Sequence, residues 1–98
     1  MTSEDIVSRI RACENQIRAE GVEHLAIFGS RARDDAHDDS DLDVLIDLQP
    51  EARFSLLNLS GVGLLIEDAT GLPTQVVLRR SAAGDFHQRI QGDLKTVF

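Results

Sequence analysis

The chain has 98 residues, a formal net charge of −7 and a single cysteine. This length predicts one domain, residues 1–98, with a small core, so an oligomer or a complex with another protein is expected. The single cysteine excludes an internal disulfide. The N-terminus is polar and no apolar run approaches the length of a membrane span, so we expect a cytoplasmic protein that does not enter a membrane.

The negative charge is concentrated in one segment. Seven aspartates lie from Asp34 to Asp47 with no lysine or arginine among them, and the rest of the chain holds ten acidic and ten basic residues. Such a cluster repels nucleic-acid phosphate, so direct binding to nucleic acid is not expected. A small acidic structural domain without a ligand remains one interpretation of the charge alone.

The first part of the chain predicts a helix, a strand and a turn. A capping pattern and an apolar stripe predict a helix from about Ser3 to Glu20, with Gly21 as its end. A short apolar strand, His24–Phe28, follows. The segment Gly29–Ala36 is predicted to be a short helix or a turn.

The next strand, Asp41–Leu48, alternates between two kinds of residue. The pattern predicts one buried face and one wet, acidic face, because successive strand residues point to opposite sides. The acidic face carries four residues, Asp41, Asp43, Leu45 and Asp47. Asp47 lies too far along the strand to act with the first two aspartates, and it is predicted to be solvated surface.

The second half of the chain predicts a helix from about Phe54 to Gly71, a strand at Thr74–Leu78 and a short helix at Ala83–Ile90. The final segment, LKTVF, is predicted to be a fourth strand or a docked tail. This order of elements predicts a small α/β fold. It does not require a parallel crossover between the first two strands.

Asp41 and Asp43 are two residues apart on a predicted strand, so their side chains leave the same face. Two strand rises place their Cβ atoms roughly 6.5–7 Å apart. Two carboxylates this close repel each other, and a divalent cation between them relieves the repulsion. Mg²⁺ takes hard oxygen ligands and keeps positions for water and substrate phosphate, and Mn²⁺ is a second candidate. The pair therefore predicts half of a site for a metal-bound nucleotide.

The other half of this site is predicted at Gly29 and Ser30, which follow an apolar strand. Glycine allows close approach of the backbone, N–H groups at the start of a helix attract phosphate, and the Ser30 hydroxyl can donate another hydrogen bond. Arg31 and Arg33 bring positive charge to the acidic segment. One could contact phosphate, and the other could pair with an aspartate. We predict that these four residues bind the nucleotide.

The residues GSRAR, with ten residues between Ser30 and DLD, resemble the G-S-x(10)-D-x-D signature of the nucleotidyltransferase superfamily of DNA polymerase β. The surrounding sequence FGSRARDDAHDDSDLDVLID is similar to its minimal prokaryotic branch, the MNT proteins, which are commonly antitoxins of HEPN-domain ribonuclease toxins. The similarity extends over nearly the whole chain. It implies the small nucleotidyltransferase fold, a mixed three- to four-stranded sheet with helices packed on one face.

The resemblance also implies roles for particular residues. Gly29 and Ser30 would hold the β and γ phosphates of a nucleoside triphosphate, with ATP as the expected substrate. Asp41 and Asp43 would be catalytic and would hold Mg²⁺, two ions in the full family pattern. A hydroxyl would attack the α-phosphorus and pyrophosphate would leave. In antitoxins of this kind the acceptor can be a tyrosine hydroxyl of the HEPN toxin, which receives AMP.

Two residues depart from the family pattern. Gln75 stands at the position of a third carboxylate, and glutamine is uncharged and cannot accept a proton near neutral pH. Asp34 stands where glycine is usual. Asp68 and Asp85 are further carboxylates, but neither lies in the expected context. Two alternatives follow: a nucleotidyltransferase weakened by loss of the third carboxylate, or a catalytically degenerate member that binds and neutralises a toxin without catalysis.

Overall fold

Four strands form one mixed sheet in the computed structural model, which describes all residues from Met1 to Phe98. They are β1 (Val22–Phe28), β2 (Leu42–Leu48), β3 (Thr74–Leu78) and β4 (Lys95–Thr96), in the order β3-β2-β1-β4. β1 pairs antiparallel with both β2 and β4, whereas β2 and β3 are parallel. The predicted mixed sheet is confirmed, and the final segment supplies a short fourth strand.

Five α-helices accompany the sheet: α1 (Ser3–Arg11), α2 (Glu14–Ala19), α3 (Gly29–Arg33), α4 (Leu56–Thr70) and α5 (Phe86–Ile90). Short 3₁₀ turns follow β3 and α5. None of the helices combines the length and the apolar character that crossing a bilayer requires.

The predicted first helix is divided into α1 and α2. Cys13 lies at the break with φ −113° and ψ 22°, outside the helical region, and its N–H donates to the carbonyl of Ile10 at 3.0 Å. A bond to the residue three positions back tightens the chain into a turn. The prediction of one continuous helix was therefore wrong. The sequence gives no sign of the break, because neither glycine nor proline occurs there.

α4 begins and ends at capping residues. The Ser55 hydroxyl accepts from the N–H of Asn58, and the Asn58 side chain accepts from the N–H of Ser55, which satisfies two donors at the helix start. Gly71 ends the helix at φ 74°, as the sequence predicts. The helix begins at Leu56, two residues after the predicted start at Phe54.

The main core lies between one face of the sheet and helices α1, α2 and α4. It is aliphatic, and its fully buried side chains include Ile6, Ile10, Ile17, Val22, Ile27, Leu42, Val44, Val62 and Ile66. α1, α2 and α4 share this face, as the predicted layer arrangement requires, whereas α5 packs on the other face. The residues of β2 that alternate with the core residues point to the opposite face.

That opposite face is only partly open to water. Leu45, Phe28 and Ile90 form a second buried cluster, against which Phe86 of α5 also packs. The Phe28 and Phe86 rings meet edge to face, with their centroids 5.5 Å apart. The prediction of an entirely wet face was therefore wrong at Leu45, because α5 covers the middle of β2. The end of β2 that carries Asp43 remains outside this cluster.

Candidate active site

Gly29 joins β1 directly to α3 and lies against β2. Its φ is 75°, which a residue with a Cβ adopts only with strain. A Cβ built on Gly29 would lie 2.5 Å from a carboxylate oxygen of Asp43. Phe28, the preceding residue, pairs with Asp43 in the β1–β2 register. Backbone conformation and close approach thus both require glycine here, and together they bring the start of α3 to Asp43.

Asp43 is half-buried, and Asp41 is exposed at the position just before β2. Burial raises the pKa of the Asp43 carboxyl, and the negative charge of Asp41 raises it further. Neither carboxylate takes part in an ion pair or accepts a hydrogen bond from another side chain. The protein therefore supplies no counter-ion and no side-chain hydrogen-bond donor to the Asp43 carboxyl group.

This donor set fits a hard divalent cation. Two carboxylates without a protein counter-ion offer oxygen ligands, and they leave coordination positions for phosphate and water. The site lacks a third acidic or histidine ligand, since the chain holds no cluster of three such residues that could bind a metal. The residues present thus suit a metal whose remaining ligands come from a substrate.

Gln75 is the β3 neighbour of Asp43. The parallel register pairs the two residues directly, so both side chains leave the same face of the sheet. Gln75 is exposed and its amide makes no hydrogen bond within the chain. Asp68 lies on α4 on the other face, and the Asp85 carboxylate is 4.0 Å from the Arg89 guanidinium. Gln75 is therefore the β3 side chain closest in register to the aspartate pair.

A family model described as a nucleotidyltransferase domain matches residues 10–94. The chain belongs to this family. Among its relatives is the protein adenylyltransferase MntA of Thermococcus cleftensis, which is 33% identical over 82 residues, 83% of this chain and 81% of that protein.

Solved structures share the fold of this nucleotidyltransferase domain. One described as a minimal nucleotidyltransferase is 26% identical, with a TM-score of 0.80 over 97% of this chain and 95% of the other. A chain from a toxin–antitoxin complex with AMP-PNP gives 0.70 at 16% identity, covering 100% and 73%. A chain from the tri-AMPylated Shewanella oneidensis HEPN toxin with its MNT antitoxin gives 0.62 at 14% identity, covering 90% and 68%. The last two likenesses show the fold alone.

The two arginines of this nucleotidyltransferase domain have different protein partners. Arg31 donates to the carbonyl of Ser40 at 3.0 and 3.2 Å and to that of Asp38 at 3.3 Å, which ties α3 to the loop before Asp41. Arg33 pairs with two carboxylates, as predicted for one of the arginines. Contact of either arginine with a nucleotide stays a prediction. The geometry adds a second role, in which Arg31 positions Asp41.

Asp34, which departs from the family pattern, ends α3 in a left-handed conformation. It has φ 64°, in the left-handed region that aspartate tolerates better than most residues. Its carboxylate accepts from the N–H of Ser3 at 2.7 Å and from the Ser3 hydroxyl at 2.8 Å. Lys95 donates to the same hydroxyl at 2.6 Å. Sequence reasoning missed this contact between α1 and the end of α3.

Asp47 is not the solvated residue that the sequence predicts. It is half-buried, and its carboxylate accepts from the Arg79 guanidinium at 2.7 Å. Because the parallel pairing of β2 and β3 brings the ends of both strands together, Arg79 after β3 reaches Asp47 near the end of β2. The two aspartates of β2 thus differ in their ion pairing: Asp47 has a protein counter-ion, and Asp43 does not.

Proposed function

We propose that this nucleotidyltransferase domain transfers AMP from ATP to a hydroxyl of a HEPN-type toxin in the cytoplasm and acts as the antitoxin of that toxin. The observation that carries the proposal is the contact between Gly29 and Asp43, which joins a glycine turn suited to phosphate with an uncompensated carboxylate pair. The relative MntA is an adenylyltransferase, and chains of similar fold occur in toxin–antitoxin complexes.

Different residues would bind the phosphates and the metal ion. Gly29 and Ser30 would bind the terminal phosphates through N–H groups and the Ser30 hydroxyl. Asp41 and Asp43 would hold Mg²⁺, which in this chemistry offsets the charge that develops on the phosphate oxygens. Arg31 would keep Asp41 in place through the Ser40 carbonyl.

The reaction forms one bond and breaks another. The acceptor oxygen forms a bond to the α-phosphorus, and the bridging P–O bond to the β-phosphate breaks, so that pyrophosphate leaves with the bonding electrons. The proton of the acceptor hydroxyl passes to water or to a base of the partner, because the Gln75 amide cannot take it. A tyrosine acceptor, with a pKa of about 10, needs less help than a sugar hydroxyl.

A second candidate function follows from Gln75. An uncharged side chain beside Asp43 leaves only two carboxylates at the site, so nucleotide binding can persist where transfer is lost. In that case the chain would neutralise its toxin by covering it rather than by modifying it.

Label transfer tests the proposal. We expect the chain, co-purified with the product of its adjacent gene, to transfer label from ATP carrying radioactive α-phosphate to that partner. Asp43→Ala should abolish the transfer and weaken Mg²⁺–ATP binding in calorimetry, because it removes the half-buried metal ligand. Asp38→Ala is the matched control, since Asp38 is an exposed aspartate of the same acidic segment. If Asp43→Ala bound Mg²⁺–ATP as tightly as the wild type, the site would be misassigned.

Co-expression tests the partner separately from the chemistry. We expect a stable complex with a helical HEPN-type protein that elutes as one species in size-exclusion chromatography, with or without Asp43→Ala. Separate elution of the two proteins at all concentrations would contradict the antitoxin role.

A further inference from the structure

The outer edge of β3 is open. β3 is the last strand on its side of the sheet, and no backbone hydrogen bond joins it to any strand other than β2. The Leu42 N–H donates to the Pro73 carbonyl at 2.8 Å. In a parallel ladder with this register, the backbone groups of Gln75 and Val77 also face β2. Val76 and Leu78 therefore direct their N–H and C=O groups outward. Only the outward N–H of Thr74 has a partner, the Glu67 carboxylate at 3.0 Å.

The helix beside this edge exposes apolar side chains. Leu56, Leu57 and Leu64 of α4 are 80%, 84% and 60% exposed. A groove of 380 Å³ runs between α4 and β3, and Leu64 and Val76 are among the residues that line it. Single exposed leucines are ordinary, but three on one 15-residue helix next to an open strand edge indicate an interaction surface. We call the outer edge of β3 and these leucines the α4–β3 surface.

We propose that a second copy of this chain covers the α4–β3 surface, with the two β3 strands antiparallel about a two-fold axis near Val76. Gly63 lies at the same level, since a Cβ built on it would be 3.9 Å from a methyl carbon of Val76. An axis near Val76 therefore also passes near the middle of α4. It brings both the strand edges and the leucine faces of the two copies together, as a self-complementary interface requires.

The charges at the two ends of the edge favour this arrangement. Glu67 and Asp68 lie near the start of β3, and Arg79 and Arg80 follow its end. Arg80 and Asp68 have no ion-pair partner within the chain. Antiparallel pairing brings the basic end of each strand to the acidic end of the other, whereas parallel pairing would place like charges together.

This dimer is independent of the proposed transferase activity. α4 lies on the face of the sheet opposite to Asp43 and Gln75, so the proposed leucine contacts do not involve the side chains of the candidate active site. A negative result for nucleotide transfer would not alter the expectation for self-association.

Analytical ultracentrifugation of the isolated chain tests the proposal. We expect the wild type to sediment as a dimer and Leu64→Glu to raise the dissociation constant by at least about tenfold, a change typical of a charge placed in an apolar contact. Asn15→Glu adds the same charge on the exposed side of α2 and should leave the dimer unchanged. A monomeric wild type at hundreds of micromolar, or a dimer indifferent to Leu64→Glu, would overturn the proposal.

Cross-linking tests the register and does not depend on Leu64. In a Cys13→Ala background, Ser60→Cys near the proposed axis should give a covalent dimer with a short bismaleimide. Thr96→Cys, exposed on β4 at the other edge, should not. Equal cross-linking of both variants would refute the register. A chain that is monomeric alone but loses its HEPN-type partner on Leu64→Glu would assign the surface to that partner and overturn self-pairing.

Discussion

Two residues in the left-handed region, Gly29 and Asp34, flank α3 for different reasons. Gly29 is required because Asp43 occupies the space that a Cβ would need. The signature singles out this glycine in the sequence, but its close approach to Asp43 appears only in the fold. Asp34 keeps its conformation at a position where glycine is usual because Ser3 donates two hydrogen bonds to it. That partner is 31 residues away, so no local pattern could predict it.

Replacing Gln75 tests how much a third carboxylate contributes. We predict that Gln75→Asp raises the rate of label transfer to the partner, because a carboxylate in register with Asp43 adds a metal ligand and a proton acceptor. General-base assistance is typically worth about 10²–10⁴-fold. The exposed position should accept the change without loss of folding.

Gln75→Asn is the matched control, because it shortens the side chain in the same way without adding charge. Its transfer rate should stay at or below that of the wild type. Rapid transfer by the wild type that Gln75→Asp leaves unchanged would show that the third carboxylate is not needed, and the degenerate alternative would then be discarded.

At the scale of elements, the sequence predicts the strands better than the helices. β3 begins and ends at its predicted residues, because an apolar run between Pro73 and two arginines leaves little choice. The break between α1 and α2 has no sequence signal, since Ala12 and Cys13 are both compatible with a helix. Covering of Leu45 by α5 also escaped prediction, because it depends on how the last helix folds back over the sheet.

The contact between α1 and α3 should make stability depend on pH. Hydrogen bonds from the Ser3 N–H and hydroxyl lower the pKa of Asp34 below its ordinary value of 3.8, and the positive charge of Lys95 adds to this effect. The folded state thus keeps Asp34 ionised to a lower pH than the unfolded state does. The stability it contributes is present above the unfolded pKa and is lost as the pH falls through the folded one.

Asp34→Asn isolates this effect, because asparagine also tolerates the left-handed region. We predict a lower Tm at pH 7, and a difference from the wild type that narrows below about pH 3.8 as the unfolded and then the folded carboxyl is protonated. Asp38→Asn removes an exposed charge from the same segment and should not lower the Tm. A Tm difference for Asp34→Asn that is constant from pH 7 to pH 2 would contradict the role of the charge.

At the scale of the whole molecule, the C-terminal segment connects elements that are far apart in the sequence. The Val97 N–H donates to the Leu25 carbonyl at 2.8 Å, and the Leu25 N–H donates to the Phe98 carbonyl at 3.1 Å. Arg11 of α1 donates to the Val97 carbonyl at 2.9 Å, and the Arg18 guanidinium of α2 lies 4.6 Å from the centre of the Phe98 ring. The sequence left this segment as a strand or a docked tail, and it is both.

Val97 is the residue through which this segment should contribute most to stability. Its side chain is fully buried in the main core, whereas that of Thr96, one residue earlier, is exposed. We predict that Val97→Ala lowers the free energy of unfolding by about 1–3 kcal/mol, because it removes two buried methyl groups and leaves a cavity. Thr96→Ala should change it by less than about 0.5 kcal/mol. Urea unfolding followed by circular dichroism measures both values, and equal effects of the two substitutions would show that the segment does not hold β1 against α1 and α2.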